Sequence, residues 1–265
     1  MTMQVLASEL DATRVRRRPS QRDPFFAVVS ATILLLVLSG FAPTLYLRPV
    51  FKPVSIPGYL FLHGIVLTSW FGWLFMQSLL IRSGRPALHR RLGVVGAVLA
   101  ATVPFAGLLA TWGVVGRVVA SGIPLDGDAS TLGIGVDGPV VNFLSGVVWG
   151  NLGSAVTFAV LAWTGIALRR RTGAHKRLLL IASVSILGPA LARLARLPFF
   201  GGEQGPFTPV VLLTLLAAIV VHDLITLKKV HPSSAWGIVL ALGVNVTFTA
   251  IAATSTGLAL VRWLQ

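Results

Sequence analysis

The chain has 265 residues, of which 55% are hydrophobic and 11% charged, with a formal net charge of +14 and no cysteine. A soluble domain carries about 25% charged residues, so this composition excludes an ordinary soluble fold and points to a polytopic membrane protein. The absence of cysteine excludes disulfides, iron–sulfur clusters and thiolate metal sites. The basic residues sit in short links between apolar runs, so the positive charge reads as a topology signal and not as a surface for nucleic acid.

In chain order, residues 1–24 (MTMQVLASELDATRVRRRPSQRDP) form a polar, basic tail. The apolar run behind it is too long for a signal-peptide core and lacks a small-x-small cleavage site, so we expect it to be retained. Seven spans follow, each over the roughly 18 residues that a membrane helix requires. They run over Phe25 to Leu47, Tyr59 to Ile81, Leu92 to Ala120, Val140 to Leu168, Leu178 to Phe200, Phe207 to Leu227 and Trp236 to Leu264. The expected fold is therefore an all-α polytopic bundle, with residues 25–265 as one transmembrane domain.

Sixteen of the 22 Lys and Arg residues fall on one side. They lie in the tail (Arg14, Arg16, Arg17, Arg18, Arg22) and in three links: Arg82, Arg85, Arg90 and Arg91; Arg169 to Arg171 with Lys176 and Arg177; and Lys228 with Lys229. This bias predicts a cytoplasmic N-terminus and an external C-terminus in a bacterial cytoplasmic membrane. Gly146 and Gly150 have the spacing that lets membrane helices approach closely, and Pro104 and Pro189 predict kinks in spans three and five. The Gly- and Asp-bearing loop Ser121 to Pro139 does not match a calcium loop and reads as a solvated connector. Three links also echo one another (LIRSGRPALHRRLG, LRRRTGAHKRLLL, LKKVHPSSAWG): a basic run, a histidine, then a new helix.

The polar residues within the spans fall into two tiers. His63 and Gln77 on span two are separated by roughly 20 Å of helix. Gln77, His89, His175, His222 and Asp223 fall toward the inner face, and His63 and Arg193 toward the outer one. Paired imidazoles on facing helices suit a haem iron. We expect His222 to be the leading ligand, with His89 or His175 opposite it and Arg90 or Arg177 near the propionates. The competing reading makes these histidines interfacial, bonded to headgroups, water or last-turn carbonyls. A His222–Asp223 pair also suits a proton relay or a quinone. Arg193 must either meet an anion or a dipolar ligand face, or snorkel to the interface. Trp70 and Trp73, mid-span, either stack on a flat ligand or fill the core.

The pattern His63, Gln77, His89-Arg90 with Gly93, then His175-Lys176-Arg177 and Arg193 resembles that of a broad group of uncharacterised bacterial multi-pass membrane proteins. In its histidine-bearing hairpins it is also similar to membrane accessory proteins of cytochrome oxidase assembly. More distantly, it is similar to cytochrome b561-like haem proteins. From the inner histidine tier we expect a redox-associated inner-membrane protein holding one haem b or a quinone near the cytoplasmic side, with a respiratory membrane complex as partner. Gln77 departs from the haem-protein pattern, because the two-haem proteins carry a second histidine about 14 residues after the first. A small-solute or proton transporter using His63, Arg193, His222 and Asp223, or a cofactor-free assembly factor, are the other classes the residues leave open.

Overall fold

The computed structural model describes residues 23–51, 55–132, 136–197 and 206–264. Nearly all of the expected basic tail, including its five arginines, lies outside them. The described residues form ten α-helices and no β-strand. In order they are α1 (Phe25–Phe41), α2 (Arg48–Phe51), α3 (Gly58–Arg82), α4 (Pro86–Ala120), α5 (Val140–Ala167), α6 (Thr172–Ser185), α7 (Gly188–Ala195), α8 (Phe207–Leu227), α9 (Pro232–Ala252) and α10 (Ser255–Trp263). A five-residue π-helical turn, Ala42–Tyr46, continues α1.

Six segments are long and apolar enough to cross a membrane, and the bent pair α6–α7 supplies a seventh. The chain is thus an all-α polytopic bundle, and its helices turn outward much of what a soluble protein would hide. Phe105, Trp112, Val239 and Val246 are all more than 60% exposed, as expected where lipid replaces water as the solvent. The protein core lies along α6, on which Leu178, Leu180, Ile181, Ala182 and Val184 are buried among Ile33, Phe71, Phe158 and Ile219 from four other helices. Trp70 belongs to this core. Its indole N–H donates to Ser183 Oγ at 3.0 Å, and its ring packs edge-on to Phe158. It therefore fills space, as one of its two expected roles required.

Three boundaries differ from expectation. Span three begins at Pro86, because proline at a helix's first turn lacks only an N–H that would go unused there. Span five breaks between Ser185 and Gly188 with a 46° bend, and Pro189 occupies the first turn of the new helix. Span seven ends at Ala252, where Thr254 accepts from the Gly257 N–H and caps a separate helix, α10. Pro104, by contrast, lies within a continuous α4. Gly146 and Gly150 are also corrected: a Cβ at either would meet nothing within 4 Å. The close approach occurs instead at Gly40, where a Cβ would collide with the backbone of Ala190 on α7.

The connector folds back on the bundle. Asp126 pairs with Arg262 on α10 at 2.6 Å, and Leu125, Ala129, Val140, Leu144 and Val261 make a small second core beneath it.

Candidate functional site

At the end of the bundle that carries the basic links, the polar side chains sort into a closed cluster and an open one. The closed cluster centres on Asp223 of α8, which has no exposed surface. Its Oδ1 accepts from Arg177 Nε at 2.8 Å and also from Arg177 Nη2. Its Oδ2 accepts from the His231 N–H at 3.0 Å and from Ser234 Oγ at 2.6 Å. Arg177, 3% exposed, also donates from Nη1 to the Gly173 carbonyl at 2.9 Å. A buried ion pair is tolerable when its spare lone pairs and protons are met, and here further bonds come from the starts of two helices, α6 and α9. Arg177 is thereby committed to Asp223.

His222 is held at one nitrogen, while its Nδ1 is buried without a hydrogen-bond partner. Its Nε2 bonds Asp23 Oδ2 at 2.7 Å. Its ring stacks on Phe25, with centroids 4.1 Å apart, and meets Phe26 edge-on. Lys176 lies over the Phe26 ring at 4.1 Å. The first residues of α1 thus form a lid over this corner. Burial alone would raise the Asp23 carboxyl. The Phe25 N–H, His222 and Lys176 outweigh it and hold the carboxyl below its ordinary range. At the N-cap of α9, His231 Nδ1 accepts from the Ser233 N–H at 3.1 Å. Burial, then the charge of Arg177, lowers the His231 pKa.

The open cluster lies between α3, α4 and α6. His89 and His175 are each the fourth residue of their helix, and their rings meet with centroids 6.3 Å apart at 82°. His175 Nδ1 donates to the Gly165 carbonyl at 2.8 Å, which fixes the neutral tautomer and leaves Nε2 with a lone pair. The backbone of Gln77 faces the His89 ring. One turn earlier on the same face of α3, Trp73 sits against α4, where a Cβ at Gly96 would lie 2.8 Å from the indole nitrogen.

Four buried polar atoms of this cluster have no hydrogen-bond partner in the protein: Trp73 Nε1, Gln77 Nε2 and Oε1, and His89 Nδ1. Each such atom costs about 1–3 kcal/mol, so together they weigh against a fold whose whole stability is about 5–15 kcal/mol. Native folds leave few buried polar groups so, which marks this cluster as the candidate site. Arg90 is exposed at its edge.

At the opposite end, His63 Nδ1 donates to the Ala106 carbonyl at 3.0 Å. Arg193 lies over the Phe41 ring at 4.7 Å and donates to the Pro189 carbonyl at 2.9 Å. Among the described residues no group of three or more His, Asp or Glu side chains is placed to hold a metal ion.

The structure therefore brings together His89, His175 and Gln77 of the expected inner tier. It engages His222 and Arg177 elsewhere, and it places His63 and Arg193 at the far end. Sequence reasoning missed Asp23 and Ser234, the partners that occupy His222 and Asp223. It also left Trp73 undecided, although its spacing of four from Gln77 puts both on one helix face. No protein-family model matches the chain, nor does any curated protein or solved structure.

Proposed function

We propose that this is a redox-associated protein of the bacterial cytoplasmic membrane that binds one haem b between His89 and His175, near the cytoplasmic end of the bundle. The observation carrying this reading is the facing imidazole pair. The rings stand with centroids 6.3 Å apart, close enough that His89 and His175 would both be within reach of one haem iron. The Gly165 carbonyl behind His175 is the kind of outer partner that orients a ligating imidazole. Arg90 is the cation available to a propionate, because Arg177 is held by Asp223. Haem b bound there would supply one-electron chemistry. His89 and His175 would hold it, and α3 would screen it from the bilayer.

A second reading, a quinone at the same place, is favoured by the unmet donors of Trp73 and Gln77, which suit a carbonyl oxygen. A transport path through Arg177 and Asp223 is disfavoured, since each saturates the other. The lipid-facing apolar surfaces leave room for a respiratory complex as partner.

The test is the absorption spectrum of detergent-purified protein, oxidised and dithionite-reduced, from haem-replete cells. A Soret band with sharp reduced α and β bands, lost in His175→Ala and in His89→Ala but kept in His222→Ala, is the expected result. A quinone co-purifying in place of haem, and lost in Gln77→Leu, would establish the second reading. Pure protein carrying neither would overturn both.

A further inference from the structure

The starts of α4 and α6 carry the same run of side chains. Each helix follows an arginine at its N-cap, Arg85 or Arg171, and holds a histidine fourth and two cations fifth and sixth. A helix N-terminus is itself positive, so cations there are disfavoured unless something answers them. On α6 the protein answers both. Lys176 lies over the Phe26 ring at 4.1 Å, and Arg177 pairs with Asp223. On α4 the equivalent pair, Arg90 and Arg91, is exposed. The first turn of α4 holds no acid, and Arg85 supplies no side-chain cap. Among the described residues the carboxylates at this end are Asp23 and Asp223, already engaged with His222 and Arg177.

Arg91 stands apart from the inner site. Two residues beyond His89, it points about 200° round the helix from it. Val94, Val95 and Val98 follow Arg91 at the spacing of one helix face, and they are 70%, 45% and 60% exposed. Phe105 and Trp112, also exposed, continue that face, so it runs for about 30 Å, the thickness of a bilayer's hydrocarbon core. Arg91 therefore heads an apolar stripe, at the level where a span meets the lipid headgroups. The chain's own tail is no complement to it, since residues 1–22 carry five arginines against Glu9 and Asp11. A soluble acidic protein would find little to grasp, because only residues 83–85 join α3 to α4.

We infer that this face of α4 binds an anionic phospholipid of the bilayer, its phosphate on Arg91 and its acyl chains along Val94, Val95 and Val98. A guanidinium offers a phosphate paired N–H donors, and Arg85 and the positive end of α4 add to the attraction.

The experiment is thermal unfolding of the full-length protein in a nonionic detergent with added short-chain phosphatidylglycerol, short-chain phosphatidylcholine or inorganic phosphate. A ligand that binds only the folded state raises the midpoint with concentration. The expected result is a rise of several degrees with phosphatidylglycerol and little with the other two. Most of that rise should be lost in Arg91→Gln and kept in Lys229→Gln. The second variant removes the same charge from the exposed link between α8 and α9, so it separates a site on α4 from attraction to net charge. Should Arg91→Gln fail to fold, Arg85→Gln should reduce the response instead. Equal rises with the two lipids, an equal rise with inorganic phosphate, no rise at all, or equal losses in the α4 variant and Lys229→Gln overturn the inference. None of these outcomes depends on what the inner site holds.

Discussion

The two polar clusters at the basic end of the bundle use similar residues to opposite effect. Around Asp223 both carboxylate oxygens are answered twice, by Arg177, the His231 N–H and Ser234, and one buried atom beside them, His222 Nδ1, is left without a partner. Around His89 and Gln77, four atoms are left so. On that difference the first cluster acts as a fastening, and the second is the one we propose as a binding site. Ionisable character alone does not separate them. The completeness of the hydrogen bonding does.

The sharpest way to break that contrast is at Asp223. Asp223→Asn leaves Arg177 as an uncompensated buried charge, which costs about 3–5 kcal/mol, and should give the largest fall in thermal midpoint. Replacing both partners by apolar residues, Arg177→Met with Asp223→Leu, should recover much of the loss, as expected of a fastening. Gln77→Leu tests the other side. It removes two unmet polar atoms, so cofactor-free protein should become more stable by about 2–6 kcal/mol while cofactor binding weakens. A loss of stability in that variant would show that Gln77 is already satisfied.

Acid should loosen the fastening in two steps. His231 has a pKa below its unfolded value, so the folded state resists its protonation. The stability this group contributes is full above about pH 6.5 and is lost as pH falls from there through the lower folded value. Protonation would also consume the Nδ1 lone pair that caps α9. Asp23, whose folded pKa is depressed, contributes above about pH 4 and loses its contribution as pH falls further. Melting curves from pH 8 to 3 should show the first step disappear in His231→Asn and the second in Asp23→Asn. The smallest effect belongs to Asp126→Asn. Its pair with Arg262 is open to solvent on both sides, and exposed pairs of this kind contribute little, so the midpoint should not move measurably.

Much of the fold was legible because a bilayer leaves few alternatives to long apolar helices. The breaks were less so. Pro189 signalled a kink, but a complete interruption depends on Gly40 admitting the Ala190 backbone, a contact between spans far apart in sequence. The site was half legible. His89, His175 and Gln77 were identifiable as polar residues at the same depth, but their pairing depends on how α4 and α6 are rotated about their axes. Adjacent residues on a helix point about 100° apart. His222 and Asp223 therefore look like one unit in the sequence, yet their strongest bonds go to different elements, Asp23 and Arg177.

The division of span five also bears on how the protein is made. Its two halves, 14 and 8 residues long, are each too short to cross a bilayer alone, and the second carries Arg193. An arginine adds to the cost of inserting a membrane segment, so this short one is a poor candidate to enter lipid unassisted. The surfaces that receive it are Phe41, which offers Arg193 an aromatic face, and Gly40, which admits Ala190. Both belong to the first span. Translation delivers that span about 150 residues before the segment that needs it, so α1 acts as a docking template during synthesis, and damage at Gly40 should appear as failed insertion before it appears as lost activity.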